Sequence, residues 1–228
     1  GLQGARIGVA RNYFGFDPAV DAIMEASLLV MKELGAELID PANIETEEKL
    51  GETEVEVLLY EFKADLNAYL AGLGPDAPVK SLADCIAFNR ANQATVMPYF
   101  GQERMIKAQE KGPLTDDTYL KALETNHRLS RDEGIDAVMK AHHLEALVAP
   151  TGGPAWLIDW VNGDRYSGGG CSSTPAVAGY PHITLPAGYI FGLPVGISFF
   201  GGAYQEANLI RYAYAFEQAT QVRKPPQF

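Results

Sequence analysis

Seven consecutive residues, Ser167-Gly168-Gly169-Gly170-Cys171-Ser172-Ser173, put three hydroxyls and a thiol on a glycine-rich stretch. Such a composition can supply a nucleophile together with the backbone amides of an oxyanion hole. The plainer reading is a Gly-rich loop whose serines cap a short helix from Ser172 to Ala178. Cys171 and His182 could pair as thiol nucleophile and base. A Tyr-Pro turn separates them, however, and nothing around them has the pattern of a Cys-His hydrolase. His142, His143 and Glu145 carry metal-ligand atoms. Adjacent histidines point in different directions, and an imidazolium at the negative end of a helix accounts for them without a metal. Neither a metal nor a cofactor is expected.

A second group follows the apolar run Leu144 to Ala149, where Pro150 ends a compact strand. Thr151, Gly152, Gly153, Trp156 and Asp159 lie just beyond it, and α/β proteins collect ligand contacts past the carboxyl ends of their strands. The loop runs on to Gly170, about twenty residues, a length more often functional than neutral. These five residues are the expected substrate-binding set, with no catalytic role assigned. The competing reading has Trp156 and Trp160 covering the core as lids.

The elements that must position these groups follow from periodicity. Arg6 to Val9 reads as a buried strand. Asp17-Pro18 is an N-cap followed by proline at the first helical position. Val20, Ile23, Met24, Ser27, Leu28, Met31 and Leu34 then mark one face of a helix stopped by Gly35. Ala36 to Ile39 returns as a strand, so the start of the chain is a βαβ unit and argues for parallel pairing. Glu45 to Leu70 has the pattern of a surface helix. Ser81 caps another through Asn92, Met105 to Ala108 a short one, and Thr115-Asp116-Asp117 starts one that reaches His142 with a kink at Gly134. Tyr69, Phe88 and Phe100 are expected in the core between helices. His182 to Ala187 and Val195 to Phe200 are strands joined by Gly188 to Pro194, and Glu206 begins a closing helix to Thr220.

Composition narrows the function classes. The 228 residues are 47% hydrophobic and 21% charged, ordinary for a globular chain. Eighteen basic against 29 acidic residues give a net charge of -11, which repels phosphate backbones and excludes nucleic acid as an expected partner. No apolar run approaches the roughly 20 residues that span a bilayer, so no membrane partner is expected. Two cysteines far apart, without CxxC spacing, fit a reducing cytoplasm.

Five stretches in order carry a resemblance. They are Leu2 to Val9; Tyr60-Glu61-Phe62-Lys63-Ala64-Asp65-Leu66-Asn67-Ala68-Tyr69-Leu70; Ser81 to Asn89; Ala149-Pro150-Thr151-Gly152-Gly153-Pro154-Ala155-Trp156; and Ser172 to Thr220, with Ala178-Gly179-Tyr180-Pro181 inside it. Together they resemble the C-terminal half of the amidase signature family, and are similar to its bacterial peptide-amidase-like members. The resemblance implies an α/β fold, a mixed β-sheet flanked by helices, with residues 1–228 forming a single lobe and the N-terminal catalytic half absent. It implies hydrolysis of a carboxamide to an acid and ammonia through a Ser-Ser-Lys arrangement. No residue of this chain matches those three positions. The Gly/Ser run at Ser167 to Ser173 precedes only two strands and a helix, and the nearest upstream lysine, Lys140, sits in a region with no matching motif.

The expected partner is therefore a small-molecule amide or peptide amide bound by the intact enzyme, with this chain silent alone. A non-catalytic binding or scaffold protein derived from an amidase is the alternative. Loss of half of a sheet would also leave apolar surface along the first strand and the terminal helix, predicting self-association.

Overall fold

A computed structural model describes residues 1–163, 166 and 168–226. In chain order the elements are β1 (Arg6–Val9), α1 (Pro18–Glu33), β2 (Glu37–Ile39), α2 (Gly51–Ala71), α3 (Leu82–Ala91), α4 (Gln93–Val96), α5 (Glu103–Gln109) and α6 (Asp117–His127). A π-helical segment, Arg128–Ile135, leads to α7 (Asp136–His142), β3 (Ala146–Pro150), α8 (Ser173–Ala178), β4 (His182–Ile190), β5 (Leu193–Phe200) and α9 (Glu206–Thr220). Contacts divide the chain into two compact units, one of Gly1–Leu50 with His127–Phe228 and one of Gly51–Asn126.

The first unit is built on a mixed sheet of order β2-β1-β3-β5-β4 among the described residues. β1 pairs in parallel with β2 and β3, as the βαβ reading predicts, and β5 runs antiparallel to both β3 and β4. Strand alternation sends Ile7, Val9, Val148, Val195, Ile197 and Phe199 to one face, under α1 and α9. α1 buries Val20, Met24, Ser27, Leu28 and Met31, and Asp17 caps it by accepting the Ala19 N–H at 2.8 Å. α9 buries Leu209, Tyr212, Ala213 and Phe216, the i, i+3, i+4, i+7 stripe of a helix laid on a sheet. Leu147, Ala149 and Phe200 face the other way, toward Tyr13, Ile135, Cys171 and Ala178.

In the second unit, Val57 and Tyr60 of α2 pack against Tyr119 and Ala122 of α6, with the Tyr60 and Tyr119 ring centroids 5.5 Å apart. Leu82 and Ile86 of α3 pack with Ala108 of α5, and Ser81 caps α3 by accepting the Asp84 N–H at 3.1 Å. Lys63 Nζ donates to the Gln109 carbonyl, and Lys111 pairs with Glu56 at 2.6 Å.

Several expectations are corrected. Tyr69, Phe88 and Phe100 are exposed. Phe88 lies two residues from buried Ile86, on the opposite side of α3, and Tyr69 is one residue off the buried Leu70 position of α2. β1 carries no open apolar edge, because it is paired on both sides; the terminal helix does expose Ile210 and Tyr214. The predicted Gly188 to Pro194 connection is strand. β4 and β5 continue to a two-residue turn at Phe191-Gly192 with φ of 51° and 82°. Two left-handed residues match the right-handed twist of a hairpin. The helix from Asp117 toward His142 is interrupted at Gly134, whose φ of -101° and ψ of -112° lie outside helical space.

Candidate substrate cavity

Thr151, Gly152, Gly153 and Trp156 do come together. They line a cavity of about 480 Å³ beyond the carboxyl end of β3, within the volume range of small-molecule sites. The strands supply the rest of its wall. Thr184 and Leu185 come from β4, and Val195 and Gly196 from β5. The backbone fixes this arrangement, since the Thr151 N–H donates to the Gly196 carbonyl at 2.9 Å and so extends the β3–β5 ladder by one residue.

Asp159, the fifth expected residue, is not among the lining residues. Its carboxylate accepts the backbone N–H groups of Val161 and Asn162, both at 2.9 Å, and the Asn162 side-chain amide at 2.8 Å. Those bonds, the Asn162 backbone one foremost, lower its pKa. Asp159 therefore folds its own loop. Trp156 is 45% exposed and Trp160 60%, so neither indole seals the core, and Trp156 instead packs edge-on to Tyr166 at 5.3 Å.

The cavity floor is polar in a way the sequence did not announce. Thr151 Oγ1 lies 2.6 Å from Thr184 Oγ1 and 2.7 Å from Ser198 Oγ. Ser198 is fully buried, is the cross-strand partner of Thr184, and hydrogen-bonds the Cys171 thiol. Gly196 makes room for this group, since a Cβ there would stand 2.7 Å from Thr151 Oγ1 and 2.8 Å from Thr184 Oγ1. The trace in the sequence was alternation. His182 and Thr184, and Gly196 and Ser198, interleave with Ile183, Leu185, Val195, Ile197 and Phe199, marking a polar face opposite an apolar one.

Cys171 and His182 are also brought together, with Sγ 3.6 Å from Nε2. The pair does not make a nucleophile. Cys171 is wholly buried, and burial pushes its thiol up to about 11 against the opposing Ser198 bond. Burial likewise lowers the pKa of His182. A neutral thiol with no route to solvent cannot attack a carbonyl.

Ser172 and Ser173 are a correction. Ser172 occupies the N-cap position of α8, but its side chain makes no capping bond, because its φ of -81° and ψ of -28° are already helical rather than extended. Both serines are exposed instead. They border a second cavity of about 400 Å³, with Tyr13, Glu47, Gly169 and Gly170. Burial raises the Glu47 pKa, helped by Glu48. Ser167 lies outside the described residues. His142 gives its carbonyl to Arg6 Nη2 at 3.1 Å, and Glu145 accepts the Arg6 backbone N–H at 3.1 Å.

The chain is thus an α/β protein with a small-molecule-sized cavity past the carboxyl end of β3. The amidase family's sequence model matches residues 1–210, and the chain belongs to that family. It is 36% identical to a probable amidase of Arabidopsis thaliana, an alignment covering all of this chain and 40% of that protein. Among solved structures, it is 42% identical to a peptide amidase held with the competitive inhibitor chymostatin, with a TM-score of 0.93 over all of this chain and 46% of the other. Native peptide amidase from Stenotrophomonas maltophilia gives 41% identity and a TM-score of 0.88, over all of this chain and 45% of that one. The chain thus spans less than half the length of these relatives. No helix among the described residues is long and apolar enough to cross a membrane.

Proposed function

We propose that this chain is the C-terminal lobe, residues 1–228, of an amidase that hydrolyses a small carboxamide or peptide amide to a carboxylic acid and ammonia. Its share of the work is to bind the substrate. The observation that carries this reading is the cavity lined by Thr151, Gly152, Gly153 and Trp156 in a member of the amidase family. The reacting groups, a Ser-Ser-Lys set, are assigned to a portion of the enzyme outside these residues. Cys171 is too buried and too weakly acidic to replace them. Two unpaired cysteines fit a cytoplasmic setting. The exposed Ile210 and Tyr214 of α9, with Leu157 and Val161 of the long loop, give the lobe apolar surface through which it self-associates when alone.

The test is ammonia release from aliphatic and aromatic primary amides, measured for this chain and for a version extended by the N-terminal half. The short chain is expected to be silent and the long one active. Turnover by the short chain that survives replacement of Cys171, Ser172 and Ser173 by alanine contradicts the assignment, as does silence of the extended enzyme.

A further inference from the structure

The hydroxyls on the cavity floor are not independent, because the direction of one proton settles the role of the next oxygen. Thr151 Oγ1 touches both Thr184 Oγ1 and Ser198 Oγ. A hydroxyl has one proton, so Thr151 donates to one neighbour and accepts from the other. Ser198, fully buried between Thr151 and Cys171, is under the same constraint. The direction of the chain is then set at its buried end, where the Cys171 thiol meets His182 Nε2 at 3.6 Å.

A protonated thiol is a donor and sulfur is a weak acceptor, whereas the unprotonated nitrogen of a neutral imidazole accepts well. Burial keeps both groups neutral. Nitrogen accepts better than sulfur, which favours the tautomer with its proton on Nδ1 and the contact S–H to Nε2; a proton on Nε2 would run the relay the other way and turn the Thr184 proton toward the cavity. With the thiol proton committed, sulfur can only accept, and Ser198 O–H donates to it. Thr151 then donates to Ser198, and Thr184 donates to Thr151. This order closes all four contacts. The reverse order at the hydroxyls leaves the Ser198 oxygen and the sulfur facing each other without a proton, a cost in a buried site.

We propose that Thr184 Oγ1, its only proton turned inward by this relay, meets the cavity as an acceptor and takes an N–H of the ligand's carboxamide. Cys171, Ser198 and His182 are positioning residues that hold this polarity. The inference rests on the reading of the cavity as an amide pocket, and it adds a basis for discrimination. A carboxamide brings N–H groups to the floor, whereas the carboxylate product brings only lone pairs, so the floor favours substrate over product.

The experiment is a titration of the whole chain with benzamide and with acetophenone, neutral probes of one shape that differ in NH2 against CH3, followed by NMR at the Trp156 and Thr184 signals. Thr184→Val is expected to weaken benzamide about ten-fold, the equivalent of one hydrogen bond, and to leave acetophenone unchanged. Thr184→Ser keeps the hydroxyl and is expected to keep the wild-type ratio. Cys171→Ala, which never touches the ligand, is expected to weaken benzamide and strengthen acetophenone as the relay loses its direction; a purely structural role would weaken both alike. Probes that bind with a ratio unmoved by Thr184→Val overturn the relay and leave the pocket standing. Failure of both probes to shift either signal overturns the pocket and the relay together.

Discussion

Gly196→Ala probes the hydroxyl cluster most directly, because the added carbon lands on it. The new Cβ would stand 2.7 Å from Thr151 Oγ1 and 2.8 Å from Thr184 Oγ1, against an ordinary contact of 3.4 Å or more. Each oxygen must therefore retreat by about 0.6–0.7 Å, enough to stretch bonds of 2.6 and 2.7 Å past good hydrogen-bonding range. Losing two neutral hydrogen bonds costs about 2 kcal/mol at about 1 kcal/mol each. Alanine recovers about 0.5–1 kcal/mol over glycine in a strand interior, through the unfolded chain. The expected net is a destabilisation of about 1–1.5 kcal/mol.

Urea unfolding followed by tryptophan fluorescence measures this on the right part of the molecule, since Trp156 and Trp160 both belong to the unit that holds the site. The double variant Gly196→Ala with Thr151→Ala supplies the control. Removing Thr151 Oγ1 removes the closer oxygen clash and the two bonds at once, so the double variant loses those bonds once rather than twice and is expected to cost about 2 kcal/mol less than the sum of the separate costs. A neutral or stabilising Gly196→Ala, or strict additivity in the cycle, would refute the claim that Gly196 is small to make room for these hydroxyls.

Two further outcomes follow from other parts of the same unit. Gly134→Ala places a Cβ 2.4 Å from the Leu129 carbonyl oxygen, a backbone atom that cannot swing aside, so a loss of at least about 2 kcal/mol is expected by the same urea assay; a smaller loss means the turn after α6 can relax. Asp40 takes a bidentate pair from Arg11, Nε at 2.7 Å and Nη2 at 2.5 Å, which lowers its pKa below the usual 3.8. Its stabilisation is present above that value and lost as pH falls through the lower folded one. Asp40→Asn is therefore expected to cost about 1 kcal/mol at pH 7, limited by partial exposure and by Glu25, which still pairs with Arg11. The gap to wild type should narrow as pH falls below 3.8 and close below the lower folded value; a gap that stays constant with pH removes the ion pair as its cause.

What was legible in the sequence was local. α1 announced itself through a cap, a proline and a one-sided apolar stripe, and α9 through four buried positions at helical spacing, because both patterns are properties of one continuous segment. The break at Gly134 was also visible, as a glycine inside a helical pattern. The capping role of Ser172 failed because a cap depends on an extended backbone, and here the preceding glycines, not the serine, make the turn. Thr151, Gly152, Gly153 and Trp156 were reachable from the end of one strand. Asp159 was misleading for the opposite reason: a carboxylate in a loop is as readily an acceptor for its own backbone, and only the folded turn distinguishes the two.

The relay is the harder case, because its members lie at 151, 171, 182, 184 and 198, and no local pattern joins them. Its assembly depends on one irregularity. Counting back from the Phe191-Gly192 turn, Ile190 pairs with Leu193, Tyr189 with Pro194 and Gly188 with Val195. Continued without a break, that register sets Thr184 opposite Phe199, and Leu185 opposite Ser198. The bulge between Pro186 and Gly188 absorbs Ala187 as one unpaired residue, so that Pro186 meets Gly196 and Thr184 meets Ser198. A one-residue slip exchanges the two faces of a strand. Without the bulge, the Thr184 hydroxyl would be matched with Phe199 of the α1–α9 core, and Ser198 with the apolar Leu185 instead of a hydroxyl. Pro186 can stand beside the bulge because β4 is the edge strand, where a missing N–H costs no ladder bond. The chemistry of the cavity floor is thus set by a single extra residue in a hairpin, a feature that neither strand shows by itself.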